Sequence, residues 1–289
     1  MYDLTDINQI KRLLNKNGFQ FSKALGQNFI IDPDVCPRMA EEACLDENTG
    51  VLEIGSGIGV LTVELARRAG KVLTTELDTR LIPVLADTLR GMDNVEVLNA
   101  DIMKLDIPRA IEQSLGGCGR LVVCANLPYY ITSPIIMRLL EGDFGFTDYY
   151  FMVQKEAGER LCAEVGSRKA GAVTVAVAYR AESELLFPVS RDCFLPAPKV
   201  DSQVIALHRL EKPPVAPVDQ TFFFDMIRAA FSQRRKTAAN GISSGLGMQK
   251  QAVFDALAEA GLAQSVRAES LTMTQLSALC DALYKRRDS

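Results

Sequence analysis

Short apolar runs alternate with segments of helical periodicity through the middle of the chain. The runs predict seven strands, at residues 51–54, 71–77, 95–98, 121–125, 149–153, 172–179 and 203–208. Between them, the spacing of apolar positions predicts helices at 61–68, 80–90, 105–115, 135–140 and 156–164. This alternation with short connections favours an α/β fold with a mostly parallel, doubly wound sheet. The last two strands have no helix between them, which predicts an antiparallel edge.

Two further regions flank this pattern. Near the N-terminus, apolar residues between 7 and 14 share one helix face, and Gly18 ends the pattern. Residues 19–31 follow as a loop that is rich in aromatic and apolar side chains. We expect this loop to fold over either the surface of its own domain or a ligand.

The C-terminal part of the chain has helical spacing only. A proline-rich linker at 211–217 separates it from the α/β region and indicates a domain boundary. The sequence therefore predicts one domain over 1–210 and a small all-helical domain over 218–289.

Composition narrows the possible chemistry. No apolar run approaches the ~20 residues that a membrane span needs, and the N-terminus has no basic and apolar secretory pattern. The seven cysteines form no Cys-x-x-Cys pair, which favours reduced thiols in the cytoplasm over disulfides or a zinc site. The single histidine, His208, lies in a predicted strand, which argues against histidine metal sites and a Ser-His-Asp triad. The net charge of −4 neither excludes nucleic acid nor argues strongly for it, because local patches set the field.

Polar features follow three successive strands. The turn at 53–59, Glu-Ile-Gly-Ser-Gly-Ile-Gly, joins a strand to a helix, and its glycines let a ligand approach the backbone. It departs from the dinucleotide pattern Gly-x-Gly-x-x-Gly, because Val60 stands at the third glycine position. Glu76 ends the next strand, where an acid can bind ribose hydroxyls, and Asp101 after the third could accept a hydrogen bond from an adenine amine. Each acid alone is more often structural, but together they describe an adenosine pocket without a pyrophosphate clamp.

A fourth strand ends at Asn126-Leu127-Pro128-Tyr129, where open α/β sheets bind ligands. The amide of Asn126 can accept and donate hydrogen bonds, Pro128 restricts the backbone, and Tyr129 offers a flat ring. The segment could hold the exocyclic amine of a base. It could equally be a turn that caps the strand, since turns favour Asn and Pro for backbone reasons.

Taken together, these motifs resemble S-adenosylmethionine-dependent methyltransferases of the amino class, which have a Rossmann-like fold. Three further segments narrow the resemblance to the small-subunit ribosomal RNA adenine dimethyltransferases, the kasugamycin-sensitivity family. They are Leu-Gly-Gln-Asn-Phe at 25–29, Phe-Leu-Pro-Ala-Pro-Lys-Val-Asp-Ser at 194–202, and Phe-Ser-Gln-Arg-Arg-Lys-Thr at 231–237. The match extends from residue 11 to about 285, in the order and spacing of the family.

The resemblance implies roles for individual residues. The expected cofactor contacts are Asn28, Ile30, Gly55, Gly57, Glu76, Asp101, Ile102 and Asn126. The catalytic segment would be Asn126, Leu127, Pro128 and Tyr129. Tyr129 and Phe194 would stack on the two faces of the target base, and Arg234, Arg235 and Lys236 would contact RNA phosphates.

The implied activity is the N6,N6-dimethylation of two adjacent adenosines near the 3′ end of small-subunit rRNA, with a role in subunit maturation. The implied cofactor is S-adenosylmethionine and the implied partner is the small ribosomal subunit; a monomer without metal or membrane partner is expected. Two alternatives stay open: a large-subunit adenine methyltransferase of the macrolide-resistance type, and an assembly or transcription factor that keeps the fold without the activity.

Overall fold

A computed structural model describes residues 2–20, 27–233 and 235–287 of the chain. Its strands are β1 Phe29–Ile30, β2 Thr49–Ile54, β3 Lys71–Glu76, β4 Val95–Asn99, β5 Arg120–Asn126, β6 Phe146–Gln154, β7 Ala181–Val189, β8 Phe194–Leu195 and β9 Ser202–Arg209. Its helices are α1 Ile7–Lys16, α2 Val35–Glu42, α3 Val60–Ala66, α4 Ile82–Thr88, α5 Ile107–Ser114, α6 Thr132–Glu141, α7 Lys155–Leu161, α8 Ala172–Ala178, α9 Gln220–Phe231, α10 Ala238–Leu246, α11 Lys250–Glu259 and α12 Met273–Tyr284. Among these residues, no helix is both long and apolar enough to cross a membrane.

Seven strands form one sheet in the order β4-β3-β2-β5-β6-β9-β7. The pairs from β4 to β6 are parallel, and β9 runs antiparallel to β6. This confirms the mostly parallel, seven-stranded α/β sheet with an antiparallel strand towards one edge. The chain leaves β2 first to one side and then to the other, so β2 and β5 flank the switch point where such sheets bind ligands.

The central strands of the sheet consist mostly of buried residues. Every residue of β2 is buried, as are the four central residues of β5, Val122 to Ala125. Strands that are buried on both faces are rich in apolar residues, which explains why these strands were recognisable in the sequence. These buried strands hold the polar residues at their carboxyl ends in fixed positions.

The N-terminal helix α1 confirms the amphipathic pattern. The Asp6 carboxylate caps it by accepting hydrogen bonds from the backbone N–H groups of Asn8 and Gln9. Ile10, Leu13 and Leu14 are buried on one face. The helix shares a core cluster with Phe19 and Phe29, and residues 21–26 of the predicted loop lie outside the described residues.

One predicted strand is wrong: residues 172–179 form helix α8 and the turn after it, and strand β7 comes next at Ala181–Val189. The segment Ala-Val-Thr-Val-Ala-Val-Ala alternates like a strand and is rich in β-branched residues. Alanine favours helix, and four successive residues, 174–177, are buried. At the end of the helix, the Tyr179 ring packs on Phe223 and Phe224 of α9. Tertiary packing therefore overrides the local alternation.

The chain packs as two compact units, residues 1–158 with 184–209 and residues 159–183 with 210–289. The first contains the sheet up to β6, β9 and most of β7, and the second contains α8 to α12. The domain limits 1–210, 211–217 and 218–289 stay a prediction. The two compact units differ from these predicted limits because α8 packs with the C-terminal helices, whereas the sequence pattern predicts a strand there.

Candidate active site

The polar strand ends of the sequence meet in one cavity of about 230 Å³ in the first unit. Because β2, β3, β4 and β5 are parallel, their carboxyl ends lie at the same edge of the sheet. The cavity is lined by every residue predicted to contact the cofactor and by the predicted catalytic segment: Asn28, Ile30, Gly55, Gly57, Glu76, Asp101, Ile102, Asn126, Leu127, Pro128 and Tyr129.

The glycine turn after β2 forms one wall of this cavity. Gly55 and Gly57 have φ angles of +76° and +58°, a region that residues other than glycine rarely adopt. At Gly55 a Cβ atom would meet no protein atom within 4 Å, so the open side of this residue faces the cavity. The missing side chain leaves the backbone accessible to a ligand.

The Glu76 carboxylate connects the glycine turn with the end of β3. Its Oε2 accepts a hydrogen bond of 2.9 Å from the Gly57 N–H, and Oε1 accepts one of 2.8 Å from the Asp78 N–H. Burial raises the pKa of Glu76, and these two N–H groups oppose that rise. Each carboxylate oxygen keeps a second lone-pair direction with which to accept a ligand hydroxyl.

Glu53, at the end of β2, is the most deeply buried acid in the cavity lining. Its side chain is 1% exposed; Oε2 accepts a 2.6 Å hydrogen bond from the Thr62 hydroxyl, while Oε1 has no partner among the described residues. Burial raises the pKa of this carboxyl to about 7. The hydrogen bond from the Thr62 hydroxyl opposes that rise.

Asp101 and Ile102 follow β4. The Asp101 carboxylate accepts a 2.9 Å hydrogen bond from the Met103 N–H, and its side chain keeps 31% exposure. Ile102 is 7% exposed and presents an apolar surface to the cavity. A polar acceptor beside an apolar wall suits a planar ring with an exocyclic amine.

Residues 126–131 hold three possible hydrogen-bond acceptors at the end of β5. The Leu127 N–H donates to the Met152 carbonyl at 3.0 Å, which fixes the backbone to β6. The Pro128 carbonyl accepts from the Ile131 N–H at 3.2 Å and from the Thr132 hydroxyl at 3.1 Å, so it is already engaged. Within the described parts of the chain, no group hydrogen-bonds to the backbone carbonyl of Leu127 or to the side-chain amide of Asn126. These two groups are the available acceptors.

Tyr129 has a fixed ring position. Its hydroxyl hydrogen-bonds to the Ser202 hydroxyl at 2.7 Å, where β9 begins. Burial raises the pKa of this phenol above its usual value, and the hydrogen bond with Ser202 opposes that rise. The half-buried ring therefore offers an uncharged face that its hydroxyl holds in place.

The predicted stacking position of Phe194 is wrong. The ring does not line the cavity; it is 3% exposed and belongs to the core cluster of the sheet. The cause is strand β8, in which Phe194 pairs with Ile30 of β1. This short ladder directs the aromatic residue into the core and joins the 194–202 segment to the N-terminal one.

The basic motif lies in the turn between α9 and α10, in the second unit. Arg235 and Lys236 are exposed, and neither makes an ion pair with another described residue. Arg234 lies outside the described residues. The turn connects two closely packed helices, since a Cβ on Gly241 or Gly245 would come within 2.6 Å of Ala229. Small residues on both helices therefore fix the base of the turn.

Three residues that sequence reasoning missed also belong to the cavity. Leu77 is 49% exposed directly after Glu76, and Tyr130 is 60% exposed directly after Tyr129. Gln27 lines the cavity and donates a 2.7 Å hydrogen bond to the Asp78 carboxylate. An apolar residue after a strand-end acid could have indicated Leu77, but nothing local indicated the pairing of Gln27 with Asp78.

Comparison with known proteins places this geometry among RNA-modifying enzymes. The profile described as ribosomal RNA adenine dimethylase matches residues 18–283. A protein of Lysinibacillus sphaericus named ribosomal RNA small subunit methyltransferase A is 41% identical over 277 residues, covering 95% of this chain and 94% of the relative. One of the same name from Anoxybacillus flavithermus is 42% identical over 285 residues, covering 98% and 97%.

Two solved structures are similar over most of the chain. The 23S rRNA methyltransferase ErmE superposes with a TM-score of 0.66 at 28% identity, over 89% of this chain and 100% of that one. A dimethyladenosine transferase from Plasmodium falciparum gives a TM-score of 0.69 at 26% identity, over 86% and 95%.

Proposed function

Because the chain belongs to the ribosomal RNA adenine dimethylase family, we propose that it transfers methyl groups to the N6 amine of two adjacent adenosines near the 3′ end of small-subunit rRNA, giving N6,N6-dimethyladenosine. One observation carries this proposal. The glycine turn and acids that suit an adenosine cofactor share a single cavity with the free acceptors of Asn126 and Leu127. Cofactor and target amine can therefore meet in one place.

S-adenosylmethionine is the cofactor that suits the cavity, and it supplies an electrophilic methyl group on its sulfonium sulfur when bound. Glu76 would accept hydrogen bonds from the ribose hydroxyls, and Asp101 would accept one from the adenine amine, with Ile102 against the ring. Gly55 and Gly57 would leave room for the methionine part, while Asn28 and Ile30 would border it. A Cβ on Gly55 would meet no protein atom within 4 Å, so the backbone there is open to the approach of such a ligand.

Hydrogen bonding from the target amine would make its nitrogen nucleophilic. The N6 lone pair of adenine is delocalised into the ring, and two N–H donations would turn the nitrogen towards a tetrahedral geometry. The Asn126 side-chain oxygen and the Leu127 carbonyl would accept them, because the Pro128 carbonyl already serves Ile131 and Thr132. As the N–C bond forms, the bond between the methyl group and the sulfonium sulfur would break and leave its electron pair on the sulfur. The nitrogen becomes cationic and then loses a proton to solvent, so no strong general base is needed. Positioning would account for most of the rate gain.

The target base must leave its stack to enter the cavity. Tyr129, held through Ser202, would stack on one face of it, and such stacking is worth about 1–3 kcal/mol per base. Arg235 and Lys236 would contact RNA phosphates, and Arg234 stays a prediction beside them. The small ribosomal subunit is the partner we propose, and the cytoplasm is where the protein would act on it, as a monomer.

The two alternatives differ in substrate and in activity. The likeness to ErmE leaves large-subunit RNA as the rival substrate, but at 28% identity it is weaker than the 41–42% shared with two proteins named for the small subunit. A factor without activity would not need to keep the Asn126 amide and the Leu127 carbonyl free of protein partners. Both features favour the enzyme that acts on the small subunit.

The test is a methylation assay with a choice of substrate. Purified protein and radiolabelled S-adenosylmethionine are incubated with immature small subunits and, separately, with large subunits, both from a strain that lacks these methyl groups. We expect label in small-subunit RNA, recovered after digestion as N6,N6-dimethyladenosine. Label confined to large-subunit RNA, or in neither, would contradict the proposal.

A further inference from the structure

Tyr130 is a large aromatic residue that the folded chain leaves uncovered at the cavity. Its side chain is 60% exposed although the residue lines the same cavity as Asn126 and Tyr129. No other ring among the described residues packs against it. An exposed aromatic face at the rim of a nucleobase site is available for a second base.

The local backbone keeps this ring apart from its neighbour. The hydrogen bond from the Ile131 N–H to the Pro128 carbonyl closes a turn with Tyr129 and Tyr130 at its two central positions. The Thr132 hydroxyl bonds to the same carbonyl and ties the turn to α6. Tyr129 is tethered through its hydroxyl to Ser202, whereas the Tyr130 hydroxyl has no hydrogen-bond partner in the part of the chain that the structure describes. One ring is thus held inside the cavity and the next is presented at its mouth.

We propose that Tyr130 stacks on the nucleobase adjacent to the target adenine and so positions the RNA for methylation. This inference rests on the proposed function. When one adenosine occupies the cavity, the neighbouring nucleotide must lie at the mouth, because the phosphodiester backbone joins them directly. Two consecutive aromatic residues on a closed turn then face two consecutive bases, and after the first adenosine is finished its neighbour can exchange places with it. Stacking suits this exchange, since every base presents a π face.

The proposal is tested with reconstituted small subunits that carry either both adenosines or an abasic nucleotide in place of one of them. On intact subunits we expect Tyr130→Ala to lower kcat/KM for the subunit between about fivefold and a hundredfold, mainly through KM. On the abasic subunits wild type and Tyr130→Ala should be equal, because the base that Tyr130 contacts is missing. Tyr130→Phe, which keeps the ring, should match wild type on both. Leu185→Ala removes another exposed apolar residue outside the cavity lining and should change neither.

A second readout separates RNA contact from cofactor contact. Equilibrium dialysis with S-adenosylhomocysteine should give the same Kd for wild type and Tyr130→Ala. A larger Kd for the variant would assign the ring to the cofactor and overturn the proposal. An equal loss of kcat/KM on intact and abasic subunits would also overturn it. If the wild-type protein methylates neither kind of small subunit, the proposed function itself fails; a wild-type enzyme that is active and unaffected by Tyr130→Ala refutes only the inference about Tyr130.

Discussion

Glu53 combines nearly complete burial with a carboxyl oxygen to which no described group donates a hydrogen bond. Burial raises its pKa from 4.5 to about 7, so the folded protein holds a proton that the unfolded chain releases. The contribution of Glu53 to the free energy of unfolding should therefore be largest below pH 4.5. We expect this contribution to be lost as pH rises through 7, which lowers the free energy of unfolding by on the order of 3 kcal/mol. Urea unfolding at pH 5 and pH 8 measures this. Glu53→Gln should flatten the dependence, and an equally steep profile in that variant would contradict it.

Asn126 carries the transfer step in the proposed function, and its removal separates chemistry from folding. Asn126→Ala should lower the methylation rate at least about a hundredfold, because the target amine loses an acceptor that orients it. The thermal midpoint should change little, since the amide makes no hydrogen bond to the described part of the chain. Label incorporation and a melting curve on one preparation decide the point. A rate near that of wild type would remove Asn126 from the mechanism.

At this scale the sequence identified residues by type and strand position but could not show how side chains are directed. Glu76, Asp101 and Asn126 each follow a recognisable strand, so their convergence follows from a parallel sheet. Phe194 failed because a two-residue pairing with Ile30, more than 160 positions away, turns its ring into the core. The sequence could not show which backbone carbonyl after Asn126 is free, and only the hydrogen bonds to the Pro128 carbonyl leave that of Leu127 available.

The glycine turn is an element whose backbone strain and ligand access can be tested separately. Gly55→Ala and Gly18→Ala both place a Cβ at positive φ, +76° and +63°, and in both the added atom meets no protein atom within 4 Å. Each should cost about 1–2 kcal/mol of stability from backbone strain. Only Gly55 lines the cavity, so only its variant should weaken S-adenosylhomocysteine binding, by tenfold or more. Calorimetric titration of both variants measures this, and equal Kd values would place the cofactor elsewhere.

The elements of the sheet followed from the sequence where burial is two-sided and failed where packing is local. Strands β2, β3, β5 and β6 were recognisable as apolar runs because most of their residues are buried, on both faces of the sheet. Helix α8 has a strand-like alternation, and its helical state depends on partners such as Phe223 that lie far along the chain. A local pattern has no access to such a partner, so this element and the domain limits that depend on it could not be derived.

Over the whole molecule, a net charge of −4 requires any RNA contact to come from a local concentration of cations. Most described basic side chains of residues 218–287 have acidic or aromatic partners; Lys285 and Arg286, for example, both pair with Glu259, at 2.7 and 2.6 Å. Arg235 and Lys236 are exposed and make no ion pair within the described ranges. Cations without a carboxylate partner can neutralise phosphates without first breaking an ion pair.

This contrast predicts how binding to the small subunit depends on salt. Replacing Arg235 and Lys236 by alanine should weaken binding and reduce the slope of log K against log salt by about one for each phosphate that the variant no longer neutralises. The matched control replaces Lys285 and Arg286 by alanine and removes the same amount of charge. Because Glu259 already neutralises these two cations, the control should leave the slope close to that of wild type. Filter binding between about 50 and 200 mM salt covers the range in which such slopes are measured. Equal slopes for the two double variants would mean that the turn between α9 and α10 is a solvated surface and that the RNA lies elsewhere.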